Sequence, residues 1–186
     1  MASTRLRIAG GTARGLPLTE PRGVRLRPTS GMLREAIFNI IAEQVEGATV
    51  LDLYAGTGAL GIESLSRGAA RATFIEAEPA ACQAILQTIS RAGFVERAEV
   101  LRGRLPAALS GLHRPFDLIL MDPPYSLETA GETLELVSQH LTPSGTVVYE
   151  HGSRYNPPER PAGLRLVERR IYGDSAIALY ATQEVA

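Results

Sequence analysis

The sequence predicts an α/β protein whose mostly parallel sheet carries helices on both faces and ends in an antiparallel strand pair. Short apolar runs alternate with longer amphipathic stretches between residues 49 and 140, a pattern typical of parallel strands joined by right-handed helical crossovers. A glycine-rich turn follows the first apolar run, and only Gly173-Asp174 joins the last two. We therefore expect a single domain over residues 1–186, with a basic N-terminal hairpin at 1–28 and the larger α/β core at 29–186.

The N-terminal hairpin is predicted because glycines occur at intervals between positions 5 and 28 and arginines alternate there with apolar residues. Alternation of this kind lets one face of a strand pack while the other faces solvent or phosphate. Thr29 or Ser30 can then cap a helix that runs from Met32 to about Ala42. We expect Leu33, Ile37, Ile40 and Ile41 to form its buried face, which leaves Arg34 to line a cleft.

The core elements follow in order along the chain. Pro79 suits the first position of a helix, and Cys82 lies on the apolar face of that helix, which predicts a core position. The predicted strands span 49–53, 71–76, 99–102, 116–121, 145–150, 165–172 and 175–182, and the predicted helices run from the glycine-rich turn to about 67, over 79–92 and over about 129–140.

Composition excludes several classes of protein. With 186 residues the chain can bury a sizeable core without cross-links, and its single cysteine excludes an internal disulfide framework. No Cys/His grouping has the spacing of a zinc site, so no metal is expected. The sequence has no run of 18 apolar residues and no signal-peptide pattern at its start. A cytoplasmic protein without a membrane partner is therefore predicted.

The small net charge of −1 conceals an uneven distribution. Residues 1–34 contain seven arginines and one acidic residue, whereas the remaining 152 residues contain twelve arginines and nineteen acidic residues. A basic segment attached to an acidic body favours a polyanionic partner over a merely solvated flank. The sequence thus indicates nucleic acid as a candidate partner.

Asp122-Pro123-Pro124-Tyr125 closes the apolar run 116–121 and is the strongest functional signal. Consecutive prolines end a central strand because neither has an N–H to donate, so these residues lie at the carboxyl edge of the sheet, where α/β proteins bind ligands. Asp122 and the carbonyl of Pro123 can accept both hydrogens of an amine, and Tyr125 can stack on a flat ring. The alternative is an ordinary turn in which Asp122 caps the next helix.

Two further acidic residues end neighbouring strands. Asp52 precedes the turn Gly56-Thr-Gly58-Ala-Leu-Gly61, and Glu76 ends the next strand, where it can accept ribose hydroxyls. The G-x-G-x-x-G pattern alone fits many nucleotide cofactors. Three carboxylates around one crevice favour a cationic ligand, so we predict S-adenosylmethionine rather than an anionic NAD(P).

These motifs resemble those of class I amino-methyltransferases with a Rossmann-like fold, and more narrowly the bacterial 16S rRNA guanine-N2 methyltransferase family, RsmD. The segments 7–15, 27–39 and 170–174 match that family in order and spacing. The resemblance implies methyl transfer to the N2 amine of a guanine in 16S rRNA or a small ribosomal subunit particle, by a monomer whose residues 29–186 are the catalytic core. The implied cofactor-binding residues are Asp52, Tyr54, Ala55, Gly56, Gly58, Glu76, Ala77, Arg104 and Leu105, and the implied RNA-binding residues are Arg5, Arg7, Arg14, Arg27, Arg34 and Tyr172.

One departure from the family pattern bears on the cofactor. Family members often carry an acidic residue after the glycine that closes the third strand, where it binds the adenine amine, but here Gly103 is followed by Arg104. Adenine is then expected to contact backbone groups near Arg104 and Leu105. Alternatives that remain open are a DNA adenine-N6 methyltransferase, an NAD(P)-dependent oxidoreductase and a non-catalytic RNA-binding assembly factor. His113, His140 and His151 are interpreted as surface or structural residues.

Overall fold

A seven-stranded sheet forms the centre of the structure, a computed structural model that describes residues 6–21, 31–124 and 130–183. Its strands lie in the order β3-β2-β1-β4-β5-β7-β6. The first five in that order are parallel, while β7 is antiparallel to both β5 and β6. The strands are β1 (Thr49–Leu53), β2 (Arg71–Glu76), β3 (Ala98–Arg102), β4 (Phe116–Met121), β5 (Leu141–Gly152), β6 (Leu164–Tyr172) and β7 (Ser175–Thr182). The predicted fold class and C-terminal antiparallel pair are confirmed.

The helices also occur where the sequence predicts them, with small differences at their ends. The predicted helix at 32–42 is divided, because Ile41 leaves helical geometry between α1 and a four-residue α2. The predicted helix at 129–140 becomes tighter 3-10 geometry over its last four residues. The helices are α1 (Gly31–Ile40), α2 (Ala42–Val45), α3 (Ala59–Ser66), α4 (Pro79–Ala92) and α5 (Ala130–Leu136), with 3-10 turns at Val95–Arg97, Ala107–Gly111 and Val137–His140.

Successive residues of the central strands pack alternately into two separate hydrophobic cores, one on each face of the sheet. Val50 packs with buried side chains of α1, α3 and α4, whereas Leu51 and Leu53 pack with those of α5 and the 107–111 turn. This period of two is the normal consequence of strand geometry. Cys82 is buried on α4, as predicted.

The N-terminal segment packs on the first of these two cores. Ile8 and Leu18 are buried while Arg7 is exposed, which confirms the predicted alternation. Arg7 and Pro17 form an antiparallel bridge, and on either side of it the N–H of Ile8 donates to the carbonyl of Leu16 at 3.0 Å and the N–H of Leu18 donates to the carbonyl of Leu6 at 2.8 Å. The described part of the predicted hairpin is therefore a short antiparallel pairing around a turn at residues 12–15.

No helix among the described residues is both long and apolar enough to cross a bilayer.

Candidate functional site

The carboxyl ends of β1, β2 and β4 bring three acidic side chains to one edge of the sheet. Asp52 lies under the turn that follows β1 and is only 2% exposed. Its Oδ2 accepts the backbone N–H of Gly61 at 2.8 Å. This bond holds the first turn of α3 against the strand, and direct contact between Asp52 and a cationic ligand stays a prediction.

The turn between β1 and α3 has an unusual backbone. Tyr54 has φ = 60°, the one non-glycine residue with positive φ in the described chain, and Gly56 and Gly58 have φ of 56° and 74°. Left-handed geometry is costly for a residue with a side chain, and such residues concentrate at ligand-binding sites. The hydroxyl of Tyr54 lies 2.6 Å from Oγ1 of Thr133 on α5, which anchors the ring beside the turn.

Glu76 links the turn to the end of β2. Its Oε2 accepts the N–H of Gly56 at 2.7 Å, and its Oε1 accepts the N–H of Glu78 at 2.8 Å. A carboxylate has about four acceptor positions, so these two bonds leave capacity for ribose hydroxyls. Ala77 follows at the edge and is half-buried.

The three carboxylates interact electrostatically. Burial raises the pKa of Asp52 well above its usual range, the Gly61 N–H opposes that shift, and the charges of Asp122 and Glu76 raise the pKa further. A cationic ligand in this crevice would relieve that repulsion, whereas an anionic pyrophosphate would add to it. The three carboxylates therefore fit the positively charged sulfonium and ammonium groups of S-adenosylmethionine.

The start of the predicted amine-binding motif, Asp122-Pro123-Pro124, lies next to this crevice. Leu53 of β1 pairs with Met121 of β4, so Asp122 comes one position beyond that pair, level with Tyr54. Asp122 is half-buried, Pro123 is buried and Pro124 is exposed. The predicted stacking residue Tyr125 lies outside the described residues.

The segment after β3 forms a third wall of the crevice. The N–H of Gly103 donates to the carbonyl of Glu76 at 3.0 Å, which ties the end of β3 to β2. Arg104 is exposed and its carbonyl accepts the N–H of Ala108, while Leu105 is half-buried against the second core. The expected contact between adenine and the backbone near Arg104 and Leu105 stays a prediction.

A buried carboxylate on α3, for which no role was predicted, holds the N-terminal segment in place. Glu63 is fully buried, and its oxygens accept the N–H groups of Ala9 and Gly10 at 2.8 and 2.7 Å. Arg67 Nε donates to the same carboxylate at 2.8 Å, and Arg34 Nε lies 3.5 Å from it. The N-terminal segment is thus fastened to the helix that begins at the glycine-rich turn.

Arg34 differs from its predicted role as an RNA contact. It is 3% exposed, and its Nη2 donates to the carbonyl of Arg7 at 2.6 Å. Burial lowers the pKa of Arg34, and the charge of Glu63 opposes that shift. A guanidinium enclosed in this way supports the N-terminal segment from inside and does not face a polyanion.

The other predicted RNA-binding residues are dispersed. Arg7 and Arg14 are exposed on the N-terminal segment, and Arg7 Nη1 donates to the carbonyl of Gly15 at 2.8 Å. Tyr172 is half-buried at the end of β6, against the first core. Arg5 and Arg27 lie outside the described residues.

The end of β5 contributes two buried polar residues: Glu150, for which the sequence interpretation proposed no role, and His151, which it interpreted as a surface or structural residue. Met121 of β4 pairs with Tyr149 of β5, so Glu150 is level with Asp122 and His151 follows one position later. Glu150 and His151 are 3% and 2% exposed. A signal for Glu150 was present, since the predicted strand 145–150 ends in an acid, as β2 does.

A groove of about 770 Å³ runs between the N-terminal segment and the outer face of α4. Leu18, Glu20, Gln83, Gln87 and Arg91 are among the residues that line it. None of the predicted catalytic or cofactor-binding residues lines this groove, so it is separate from the crevice. No group of three or more metal-ligating side chains is found within the described ranges.

Comparison with known proteins places this arrangement among methyltransferases. The model of the family described as conserved hypothetical protein 95 matches residues 6–181. The chain is 34% identical over 182 residues to the Escherichia coli K12 protein named ribosomal RNA small subunit methyltransferase D, covering 96% of this chain and 90% of that protein. It is 31% identical over 180 residues to the Bacillus subtilis protein named "Putative rRNA methyltransferase YlbH", covering 94% and 98% of the two chains.

A solved structure is similar over the same extent. The Escherichia coli protein named "Putative methyltransferase yhhF" superposes with a TM-score of 0.83 at 33% identity, covering 97% of this chain and 99% of that one. The N-terminal segment and the C-terminal strand pair are therefore included in the similarity.

Proposed function

The chain belongs to the family described as conserved hypothetical protein 95, the family of ribosomal RNA small subunit methyltransferase D, and we propose that it methylates the exocyclic N2 amine of a guanine in small-subunit rRNA. Its fold is the Rossmann-like fold of class I methyltransferases. The relatives support an rRNA methyltransferase, and the guanine N2 position, the 16S target and the monomeric state are the finer part of the proposal. One observation carries it: Asp122 follows β4 one strand away from the glycine-rich turn, with Asp52 and Glu76 at the same edge.

The proposed methyl donor is S-adenosylmethionine. Glu76 would accept its ribose hydroxyls, Asp52 would attract its cationic end, and the backbone around Arg104 and Leu105 would face its adenine. When bound, this group supplies an electrophilic methyl on a positively charged sulfur. The strained turn at Tyr54, with Ala55 and Gly56 beside it, would form the floor of the site.

The acceptor amine presents the main chemical difficulty, because its lone pair is delocalised into the purine ring. Asp122 and the Pro123 carbonyl would accept its two hydrogens and so direct the lone pair away from the ring plane. Positive charge develops on this nitrogen during attack, so a neighbouring carboxylate stabilises the transition state more than the ground state. Pro124 makes the turn rigid, and Tyr125 would stack on a base that has been splayed out of the RNA.

Asp122→Ala tests this assignment. We expect loss of methyl transfer while the affinity for S-adenosylmethionine, measured by isothermal titration calorimetry, changes little. Glu76→Ala is the matched variant, since it should weaken cofactor binding. Loss of cofactor binding in Asp122→Ala would contradict the division of roles between the two carboxylates.

The substrate is tested with labelled S-adenosylmethionine and three acceptors: 16S rRNA, isolated small ribosomal subunits and double-stranded DNA. Nucleoside mass spectrometry then identifies the methylated base. N2-methylguanosine from rRNA or from subunits is the expected product. N6-methyladenine from DNA would replace the proposal with the DNA methyltransferase alternative.

A further inference from the structure

Three aromatic rings form a cluster where β5 ends, and we call Tyr149, His151 and Tyr155 the aromatic cluster. The ring centroids of Tyr149 and His151 are 5.3 Å apart, and those of His151 and Tyr155 are 5.6 Å apart. Tyr155 meets both of the other rings nearly edge-on, at interplanar angles of 75° and 74°. Such edge-to-face contacts fix the orientation of a ring.

Tyr155 is the exposed member of the cluster. Its side chain is 43% exposed, while Tyr149 and His151 are buried. The backbone that carries it is nevertheless fixed. Arg169 Nη2 donates to the carbonyls of Ser153 and Tyr155, and the N–H of Tyr155 donates to the carbonyl of Gly152. A rigid loop therefore presents an oriented aromatic ring to solvent.

His151 has a buried polar atom that calls for an explanation. Its Nδ1 lies 2.9 Å from the carbonyl of Gly152, so this nitrogen carries the proton and Nε2 is an acceptor. Nε2 has no hydrogen-bond partner among the described residues. A buried polar group without a partner is destabilising. Its retention here fits a role that depends on the ring, namely support for Tyr155.

The aromatic cluster lies on the side of Asp122 that faces away from the glycine-rich turn. In the sheet β4 is flanked by β1 on one side and by β5 on the other. The predicted cofactor residues all belong to β1, β2, β3 and the turns after them. The end of β5 is therefore free of predicted cofactor residues, and an RNA strand that delivers one base to Asp122 can place a neighbouring nucleotide there.

The charge around Tyr155 suits such a strand. Arg154 is adjacent and exposed, and Arg160 is exposed in the same loop. Exposed arginines next to an aromatic ring are the combination with which proteins bind single-stranded nucleic acid, through phosphate contacts and base stacking.

We propose that Tyr155 stacks on a nucleobase of the RNA substrate adjacent to the target guanine, and that His151 is a positioning residue that fixes the Tyr155 ring. This inference rests on the proposed function, because it needs RNA as the substrate. Stacking contributes to RNA affinity independently of the chemistry at Asp122. It is also tolerant of sequence, since every base offers a flat face.

The test compares Tyr155→Leu with Tyr155→Phe by measuring binding to 16S rRNA transcribed in vitro, over a series of KCl concentrations. Tyr155→Leu should bind about 5- to 150-fold more weakly, the loss expected for one base–aromatic stack, with an unchanged dependence on salt. Tyr155→Phe should bind within about twofold of the wild type, since it keeps the ring. Wild-type affinity in Tyr155→Leu, or equal losses in both variants, would overturn the proposal.

A phosphate contact behaves differently in the same assay, which provides the comparison variant. Arg14→Gln should weaken binding and also reduce the slope of log K against log[salt] by about 0.7–0.9. If Tyr155→Leu reduced the slope equally, Tyr155 would be acting through phosphate contacts of its neighbours and stacking would be refuted.

The role of His151 is tested by comparing the effects of substitutions on KM and on kcat. His151→Ala should raise KM for rRNA with kcat unchanged, and His151→Phe should restore KM because it supplies a ring of similar shape. A general loss of folding would lower the apparent kcat with KM unchanged and would not be rescued by Phe, which would refute the positioning role.

Failure of this inference is distinguishable from failure of the proposed function. If the wild type methylates rRNA and Tyr155→Leu binds it normally, only the stacking site is refuted. If the wild type methylates no rRNA, yet Tyr155→Leu weakens RNA binding relative to Tyr155→Phe, the stacking site stands and the proposed activity fails.

Discussion

Gly61→Ala provides a demanding test of how the glycine-rich turn is built. A Cβ at this position would lie 2.3 Å from Cε1 and 2.7 Å from Cζ of Phe74, and 3.0 Å from Oδ2 of Asp52. Phe74 is fully buried and belongs to the adjacent strand β2, so its ring has little freedom to move away. Overpacking of this kind costs about 1–3 kcal/mol.

The local helix preference acts in the opposite direction. Alanine within a helix is favoured over glycine by at most about 1 kcal/mol. Because the clash is with a buried ring, we take the upper part of the overpacking cost, about 2–3 kcal/mol, and expect a net loss of about 1–2 kcal/mol of unfolding free energy. For a chain of this size that corresponds to a decrease of about 2–8 °C in Tm. The displaced turn should also weaken binding of S-adenosylmethionine, since the bond from Asp52 to Gly61 would be strained.

Gly131→Ala is the matched control. Gly131 also lies in a helix, α5, and an added Cβ would meet no atom of the described residues within 4 Å. This substitution should stabilise the protein by about 0.5–1 kcal/mol, the intrinsic difference between the residues. Urea denaturation followed by far-UV circular dichroism measures both variants. The reasoning fails if Gly61→Ala is as stable as the wild type, or if both variants shift in the same direction.

Two other predictions concern buried charge. Glu63→Gln should lower the unfolding free energy by about 3–5 kcal/mol, because it leaves a buried arginine without its counter-charge. Urea denaturation measures the loss, and a change below about 1 kcal/mol would show that the network contributes little. Burial lowers the pKa of His151 and of His140, so the folded state keeps them neutral while the unfolded chain binds protons below pH about 6.5. Stability should therefore fall as pH drops below about 6.5, and His151→Phe should reduce that slope; an unchanged slope in thermal melts between pH 7 and 5 would refute this assignment.

The shared edge of the three carboxylates could be predicted because parallel strands place their carboxyl ends at one edge of the sheet. Asp52, Glu76 and Asp122 each follow an apolar run, and the structure brings all three to that edge. The contacts made by Asp52 were not predictable from spacing alone. Whether a carboxylate faces a ligand or the N–H of Gly61 depends on the path of the turn, which left-handed residues set and sequence periodicity does not reveal.

The burial of Arg34 is a different case, since the spacing of residues in the sequence was sufficient to predict it. Arg34, Ile37, Phe38 and Ile41 are spaced i, i+3, i+4 and i+7, the pattern of one helical face. All four are buried. Leu33, Ile37 and Ile41 of the predicted face are buried as expected, but the prediction missed Arg34 because it excluded a charged residue from the core. A buried arginine is tolerated when a carboxylate lies nearby, and Glu63 provides it from a helix that the sequence does not connect to α1.

Glu63 carries its own signal in the composition of α3. Ala59–Ser66 contains no charge except Glu63, and every residue of the helix is buried. A charge in a helix without a polar face requires a partner within the protein. The sequence therefore predicts that a partner exists, but the N–H groups of Ala9 and Gly10, more than fifty positions away, are identified only by the fold.

Through Glu63, helix α3 connects the predicted cofactor-binding turn with the N-terminal segment that is predicted to bind RNA. The first turn of α3 is held by Asp52 beside the glycine-rich turn, while Glu63 and Ser66 hold the N-terminal segment. Eight helical residues span about 12 Å, so a short rigid element separates the predicted cofactor turn from the segment that carries Arg7 and Arg14. A close approach at Gly11, where an added Cβ would lie 1.8 Å from the carbonyl oxygen of Ser66, leaves no room for the segment to shift along the helix. Phosphate contacts made by this segment would therefore be set at a fixed distance from the methyl donor, because the same helix fixes both.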